Sequence, residues 1–163
     1  MTKRTTRRTA AAGAAVARGR QRRRSTRRHR GPTRSMLEAM AALAREARER
    51  AQAPYSRFRV GAALKTRTGE IVTGCNIENA SYGLTMCAER VAVFKAVSEG
   101  LSDFDAIAVV ADSKRLTPPC GPCRQILWEY CGDVLVHMSD LRGRSRKVRL
   151  SELLPMPFDA GNL

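Results

Sequence analysis

The chain has 163 residues, with 30 Lys and Arg against 15 Asp and Glu, a formal charge of +15. Thirteen of the basic residues and none of the acidic ones fall in the first 35 positions, so the other 128 residues hold 17 basic and 15 acidic side chains and carry only +2. A body of that length is one ordinary domain that needs no disulfide staples, which excludes two large domains, and no apolar run approaches the roughly 20 residues that span a bilayer.

Residues 1–35 are rich in Arg, Thr and Ala and contain no aromatic side chain. Such a composition buries too little apolar surface to offset ordering entropy, and the segment is expected to be a disordered tail ahead of a domain at 36–163. The alanines from Ala10 to Ala17 are followed by RGRQRRRSTRRHR, which is not the flank of a secretory signal. Gly31-Pro32 punctuates the chain, Ser35 is the expected N-cap with Glu38 three residues on, and Leu37, Met40, Ala41, Leu43, Ala44 and Ala47 recur at helical spacing.

Pro54 closes that helix, and Val60 to Leu64 reads as a strand, joined through a turn at Thr68-Gly69 to a returning strand at Ile71 to Cys75. Residues 76–86, NIENASYGLTM, have no consistent period and read as a structured loop. Val91, Ala92, Phe94 and Val97 mark a second helix before Gly100. Phe104 to Ala111 is apolar except at Asp105, the pattern of a central strand covered on both faces. After Pro118-Pro119 a third helix carries Ile126, Leu127 and Tyr130 on one side, with Trp128 as packing. Val134 to His137 is a further strand, Lys147 to Leu150 adds one more, and a short helix starts at Ser151. The order α-β-β-α-β-α-β-β predicts an α/β protein, a three-layer α/β/α sandwich around a mixed sheet of about five strands.

Two clusters carry chemistry: Cys87-Ala-Glu89-Arg90 and Pro119-Cys120-Gly-Pro-Cys123-Arg124, each at a predicted helix start. Cys120 and Cys123 would present their sulfurs on one side of a helix, and Cys87 would supply a third if the two helices lie side by side. Three ligands leave a fourth position for water, the arrangement of a catalytic zinc, and Arg90 and Arg124 would offset the excess negative charge of three thiolates around Zn2+. Glu89 stands two residues from a ligand, placed to move protons of the attacking water rather than to bind the metal. A ligand, any residue, Glu, then Pro-Cys-x-x-Cys is the signature of zinc-dependent base deaminases. A thiolate metal site also suits a reducing, cytoplasmic setting.

Through APYSRFRVGAAL, TGCNIENASYGLTMCAERVAVFKAVSEG and PPCGPCRQILWEY, nearly all of residues 36–163 resembles the small, homotetrameric cytidine deaminases. The resemblance implies one zinc per subunit on Cys87, Cys120 and Cys123, with Glu89 as the proton shuttle. It implies hydrolytic deamination of cytidine and 2′-deoxycytidine through a zinc-activated hydroxide, in pyrimidine salvage. For substrate contacts it implies Asn76 and Glu78 at the ribose 3′-hydroxyl, Phe58 against the base, Ala88 in the pocket, and Phe158 contributed by a neighbouring subunit. Asn76 and Glu78, two apart in an extended segment, offer a donor and an acceptor on one side in any case.

The other readings are plainer. Cys75 and Cys131 are expected to be small buried hydrophobes, with Cys75 the alternative fourth ligand of a closed structural site. His137 reads as a core or interface histidine, and the run RGRSRKVR at 142–149 as a solvated turn and edge strand. Arg59 stands where the family resembled carries Pro. The tail is compatible with nucleic-acid binding by counterion release, with a targeting peptide, or with an upstream start codon ahead of Met36; the last is preferred, and nucleic-acid binding by residues 1–35 is not favoured. The alternative functions are a polynucleotide cytosine-editing deaminase guided by the tail and a deaminase of a blasticidin-type antibiotic. The tail has no aromatic side chains to stack bases, which counts against the first.

Overall fold

In the computed structural model residues 31–163 are described, so the expectation of disorder for residues 1–30 lies outside the described residues. Helix α1 spans Arg34–Glu49 and starts earlier than expected. Thr33, not Ser35, is its N-cap, accepting the Met36 N–H at 3.2 Å, and Arg34 pairs with Glu38 at 2.8 Å. The cap satisfies a backbone donor that the first turn leaves without an intrahelical partner. Residues just before Met36 are therefore part of the folded body.

Five strands follow in the spatial order β2-β1-β3-β4-β5: β1 Val60–Thr66, β2 Ile71–Cys75, β3 Phe104–Ala111, β4 Leu135–Ser139 and β5 Ser145–Arg149. Pairing is antiparallel except between β3 and β4, which run parallel with Ala108 opposite His137, so the sheet is mixed as expected. α3, Gly121–Cys131, lies in the β3-to-β4 crossover that the parallel pair requires. α2, Ala88–Ser98, connects β2 to β3, and α4, Leu150–Leu153, follows β5 directly.

Alternation along the strands sends residues to two cores. Leu37, Met40 and Ala44 of α1 pack on Ala63, Ala106, Ala108 and Val110 on one face, while α2 and α3 cover Ala62, Leu64, Ile107, Val109 and Val136 on the other. Two adjacent glycines set the layer spacing. A Cβ on Gly61 would stand 1.9 Å from the Ala44 carbonyl oxygen of α1, and one on Gly74 would stand 2.5 Å from the Ala88 carbonyl oxygen of α2.

Asp105, the one charge in the apolar β3 run, is explained by Lys65 at 3.0 Å on β1, both side chains being about one-tenth exposed or less. Removing one partner of such a buried pair typically costs about 3–5 kcal/mol. Of the apolar residues that mark α2, Phe94 and Val97 are each 38% exposed; the buried side of the helix is Ala88, Glu89, Ala92, Val93 and Ala96. Phe94 instead meets the half-exposed Tyr130 of α3 edge to face at 6.3 Å, leaving an apolar outer surface.

Candidate metal centre and pocket

α2 and α3 lie side by side and begin at the same end of the sheet. Cys87 is the N-cap of α2 and Cys120 the N-cap of α3, with Cys123 one turn inside α3. The sulfurs of Cys87, Cys120 and Cys123 all lie within 4.8 Å of one another, Cys87 and Cys120 at 3.8 Å. Tetrahedral ligation at about 2.3 Å requires sulfurs about 3.8 Å apart, the separation of Cys87 and Cys120, so the three sulfurs are close enough to share one zinc ion. Cys75, on β2, is not in this group.

Charge is arranged to favour thiolate. The Cys123 thiol hydrogen bond, with Arg90 adding to it, lowers Cys87 to about 5, while Cys123 itself is held up by the same bond and by burial. Arg90 Nη2 stands 3.6 Å from the Cys87 sulfur and donates to the Thr85 carbonyl at 2.8 Å. Arg124, expected to share this role, donates instead to the carbonyls of Pro119 at 2.7 Å and Leu153 at 2.8 Å. Its contribution is to tie the loop that delivers Cys120 onto α3 and α4.

Glu89 sits in the first turn of α2, 5% exposed, and burial raises its carboxyl to about 7, with the Cys87 charge adding to the rise. A carboxyl poised near neutrality can both take and give a proton. It lines a cavity of about 240 Å³ with Phe58, Val60, Asn76, Glu78, Ala88, Thr117, Cys87 and Cys120. The larger cavity of about 690 Å³ lies at Gly31, Asp105 and Arg149, away from the three sulfurs.

The substrate residues expected from sequence are largely brought together. Asn76 Nδ2 donates to the Phe58 carbonyl at 2.9 Å and its Oδ1 accepts from Val60 N–H at 2.8 Å, so the amide staples the chain on either side of Arg59. Glu78 accepts from Tyr55 N–H at 2.9 Å, Ser56 N–H at 3.2 Å and the Ser56 hydroxyl, and the hydroxyl bond lowers its pKa most. An amide nitrogen has two N–H donors and a carboxylate about four lone-pair sites, so each side chain keeps one position for a ligand hydroxyl. Phe58 is at the mouth, 39% exposed. Phe158 is not: it lies beside α3, bonded through its backbone to Gln125, with its ring 58% exposed. Ser56, Thr85, Met86, Thr117 and Pro118 line the pocket without having been singled out from sequence. Ser56, two residues from Phe58, was the most legible of them.

His137 is buried opposite Lys147 on β5, its Nδ1 without a hydrogen-bond partner, and burial followed by the Lys147 charge lowers its pKa. It stands away from the sulfurs, as expected of a core or interface histidine. Burial pushes the Cys131 thiol up to about 12, consistent with an inert packing cysteine.

The family described as "Cytidine and deoxycytidylate deaminase zinc-binding region" matches residues 34–138. A cytidine deaminase of Halalkalibacterium halodurans is 56% identical over 119 residues, 72% of this chain and 90% of the relative. The crystal structure of a cytidine deaminase from Burkholderia pseudomallei superposes with a TM-score of 0.73 at 45% identity, covering 74% of this chain and 98% of that one. A blasticidin-S deaminase of Bacillus cereus is 36% identical over 111 residues, 63% of this chain and 79% of the relative.

Proposed function

The chain belongs to the cytidine and deoxycytidylate deaminases, and on that premise we propose that it hydrolyses cytidine and 2′-deoxycytidine to uridine and 2′-deoxyuridine with release of ammonia. The observation that carries this reading is the triangle of Cys87, Cys120 and Cys123 with buried Glu89 beside it in one small pocket. A zinc ion held by the three sulfurs supplies the Lewis acidity that makes water nucleophilic near neutral pH.

Glu89 performs the proton chemistry. Its carboxylate accepts a proton from the attacking water and passes it to N3 of the cytosine ring, so that addition at C4 proceeds without charge building on the ring. It then takes the second proton from the hydroxyl added at C4 and delivers it to the 4-amino group, which leaves as ammonia as the C4–N bond breaks and the C4 carbonyl forms. One water is consumed and the carboxylate is restored. Burial supports this role, because a desolvated carboxyl near pKa 7 is matched to both transfers. Phe58 packs against the base, Ala88 leaves room at the start of α2, and the spare N–H of Asn76 and lone pair of Glu78 hold the ribose 3′-hydroxyl. An internal nucleotide has no free 3′-hydroxyl, so this pair favours a nucleoside over a polynucleotide.

The finer reading is a homotetramer acting in pyrimidine salvage in the cytoplasm. The exposed Phe94, Val97 and Tyr130 surface supports self-association, and Phe158, exposed and not among the residues lining its own chain's pocket, suits a neighbour's. Sedimentation tests the assembly. Incubating the full chain with cytidine, 2′-deoxycytidine, a cytosine-containing oligonucleotide and blasticidin S tests the activity. Turnover of the two nucleosides alone is expected, and turnover of the oligonucleotide or antibiotic in preference to them would overturn the reading.

A further inference from the structure

The segment that carries Phe58 is not shaped by packing. From Pro54 to Arg59 every residue is exposed, and the backbone there is a turn followed by irregular chain, outside any helix or strand. Arg57 in its middle has a φ of 59°, the left-handed region that a residue with a side chain adopts only where its surroundings impose it. Hydrogen bonds impose it here. Arg57 N–H donates to the Ala53 carbonyl at 3.1 Å, and Phe58 N–H donates to the Ser56 hydroxyl oxygen at 3.0 Å.

The directions of the two Ser56 hydroxyl bonds follow from chemistry. A carboxylate only accepts, and Glu78 is held ionised, its pKa lowered chiefly by Ser56, so the one hydroxyl proton of Ser56 goes to Glu78. The oxygen keeps two lone pairs, and one of them takes the Phe58 N–H. A single hydroxyl is thus bound on one side to the carboxylate assigned to the ribose and on the other to the backbone of the ring assigned to the base.

Glu78 is a firm anchor for that relay. Its own N–H donates to the Gln52 carbonyl at 2.8 Å, and its carboxylate also receives the N–H groups of Tyr55 and Ser56. Asn76 holds the far side of Phe58 through the Phe58 carbonyl and the Val60 N–H. A serine that accepts the N–H two residues on is a common local turn device, but that device does not need a carboxylate 22 residues away in the chain. Ser56 also lines the pocket together with Phe58 and Glu78.

We propose that Ser56 is a positioning residue for deamination: its hydroxyl couples Glu78 to Phe58, so that the group meeting the ribose 3′-hydroxyl and the ring meeting the base are set together. The proposal rests on the assignment of cytidine and 2′-deoxycytidine as substrates and adds to it a source of selectivity for a free 3′-hydroxyl.

The test is steady-state kinetics of the parent, S56A and S56T on cytidine and 3′-deoxycytidine, with zinc content and Tm measured on each protein. Turnover of cytidine by the parent checks the substrate assignment, and without it that assignment and this proposal fall together. In an active enzyme S56A should raise KM for cytidine at least about tenfold, the usual consequence of losing a hydrogen bond to a charged group. Its kcat should stay within about threefold and its zinc content should not change, since Ser56 bonds to neither Glu89 nor the cysteines. The loss in kcat/KM should be about fivefold smaller on 3′-deoxycytidine, which has no 3′-hydroxyl to offer Glu78. S56T keeps the hydroxyl and should restore most of both. On an E78A background S56A should cost less than about threefold on cytidine, because coupled residues are not additive. With an active parent, S56A within about twofold of it on cytidine, equal losses on the two nucleosides, S56T as impaired as S56A, or full additivity with E78A would overturn the coupling and leave the substrate assignment standing.

Discussion

Replacing Gly74 by alanine tests how the layers position the site. A Cβ at this point of β2 would lie 2.5 Å from the Ala88 carbonyl oxygen and 2.6 Å from the Ala92 nitrogen, both backbone atoms of α2 that no side-chain rotation can move. Ordinary contact starts near 3.4 Å, so α2 must retreat by about 0.9 Å. That helix carries Cys87 and Glu89, whereas Cys120 and Cys123 belong to α3, so the retreat opens the sulfur triangle on one side. Overpacking of this kind costs about 1–3 kcal/mol, a fall in Tm of several degrees for a domain of this size. A misplacement of about 1 Å at a reacting centre is on the order of a hundredfold in rate. Thermal unfolding, cytidine turnover and zinc retention against a competing chelator measure all three effects. Gly83→Ala, whose Cβ would meet nothing within 4 Å, is the control and should stay within about 0.5 kcal/mol of the parent in stability. A Gly74→Ala protein matching that control in Tm and turnover would refute the packing argument.

Other consequences follow from single residues. Asn76→Ala removes both halves of the staple around Arg59 and leaves the Phe58 carbonyl and Val60 N–H without their partner; a loss of about 1–3 kcal/mol and a raised KM are expected from chemical denaturation and steady-state kinetics. Chelation of zinc should abolish turnover and lower Tm, with recovery on adding zinc, because a metal held by the three sulfurs ties the start of α2 to that of α3. In native protein at pH 8, alkylation of Cys131 should be slower than that of an unperturbed thiol by on the order of a thousandfold, its pKa being pushed up to about 12; mass spectrometry after a timed iodoacetamide reaction measures this. In metal-free protein Glu89, with its carboxyl raised to about 7 by burial, favours folding at low pH and loses that contribution as pH rises from about 4.5 through 7. Tm of metal-free parent should therefore fall relative to metal-free Glu89→Gln over that interval, and parallel curves would contradict the assignment.

Much of this architecture is legible in the chain, because the signals are local. The apolar positions of α1 recur at helical spacing, β3 is an apolar run broken only by Asp105, and Cys87, Glu89, Cys120 and Cys123 sit in short motifs at helix starts. The departures arise where distant residues decide. β1 runs on through Lys65 and Thr66, past the end of its apolar stretch, because Asp105 on the neighbouring strand neutralises Lys65. β5 starts at Ser145 rather than Lys147, since an edge strand facing water needs no apolar alternation. Thr33 displaces Ser35 as cap because the helix begins with Arg34, a position propensity alone leaves open. Arg124 shares the helix-start geometry of Arg90, yet the nearby carbonyls of Pro119 and Leu153 take its guanidinium. Sequence spacing places a side chain on a helix but does not reveal which acceptors a second helix will bring within reach.

The central claim is that three cysteines hold the metal while Glu89 alone moves the protons. Its most direct test is Glu89→Gln, with zinc content and the rate of ammonia release from cytidine measured on the same sample. One zinc per chain with a rate lowered by several orders of magnitude is the predicted result. Turnover near that of the parent, with or without zinc, would contradict it.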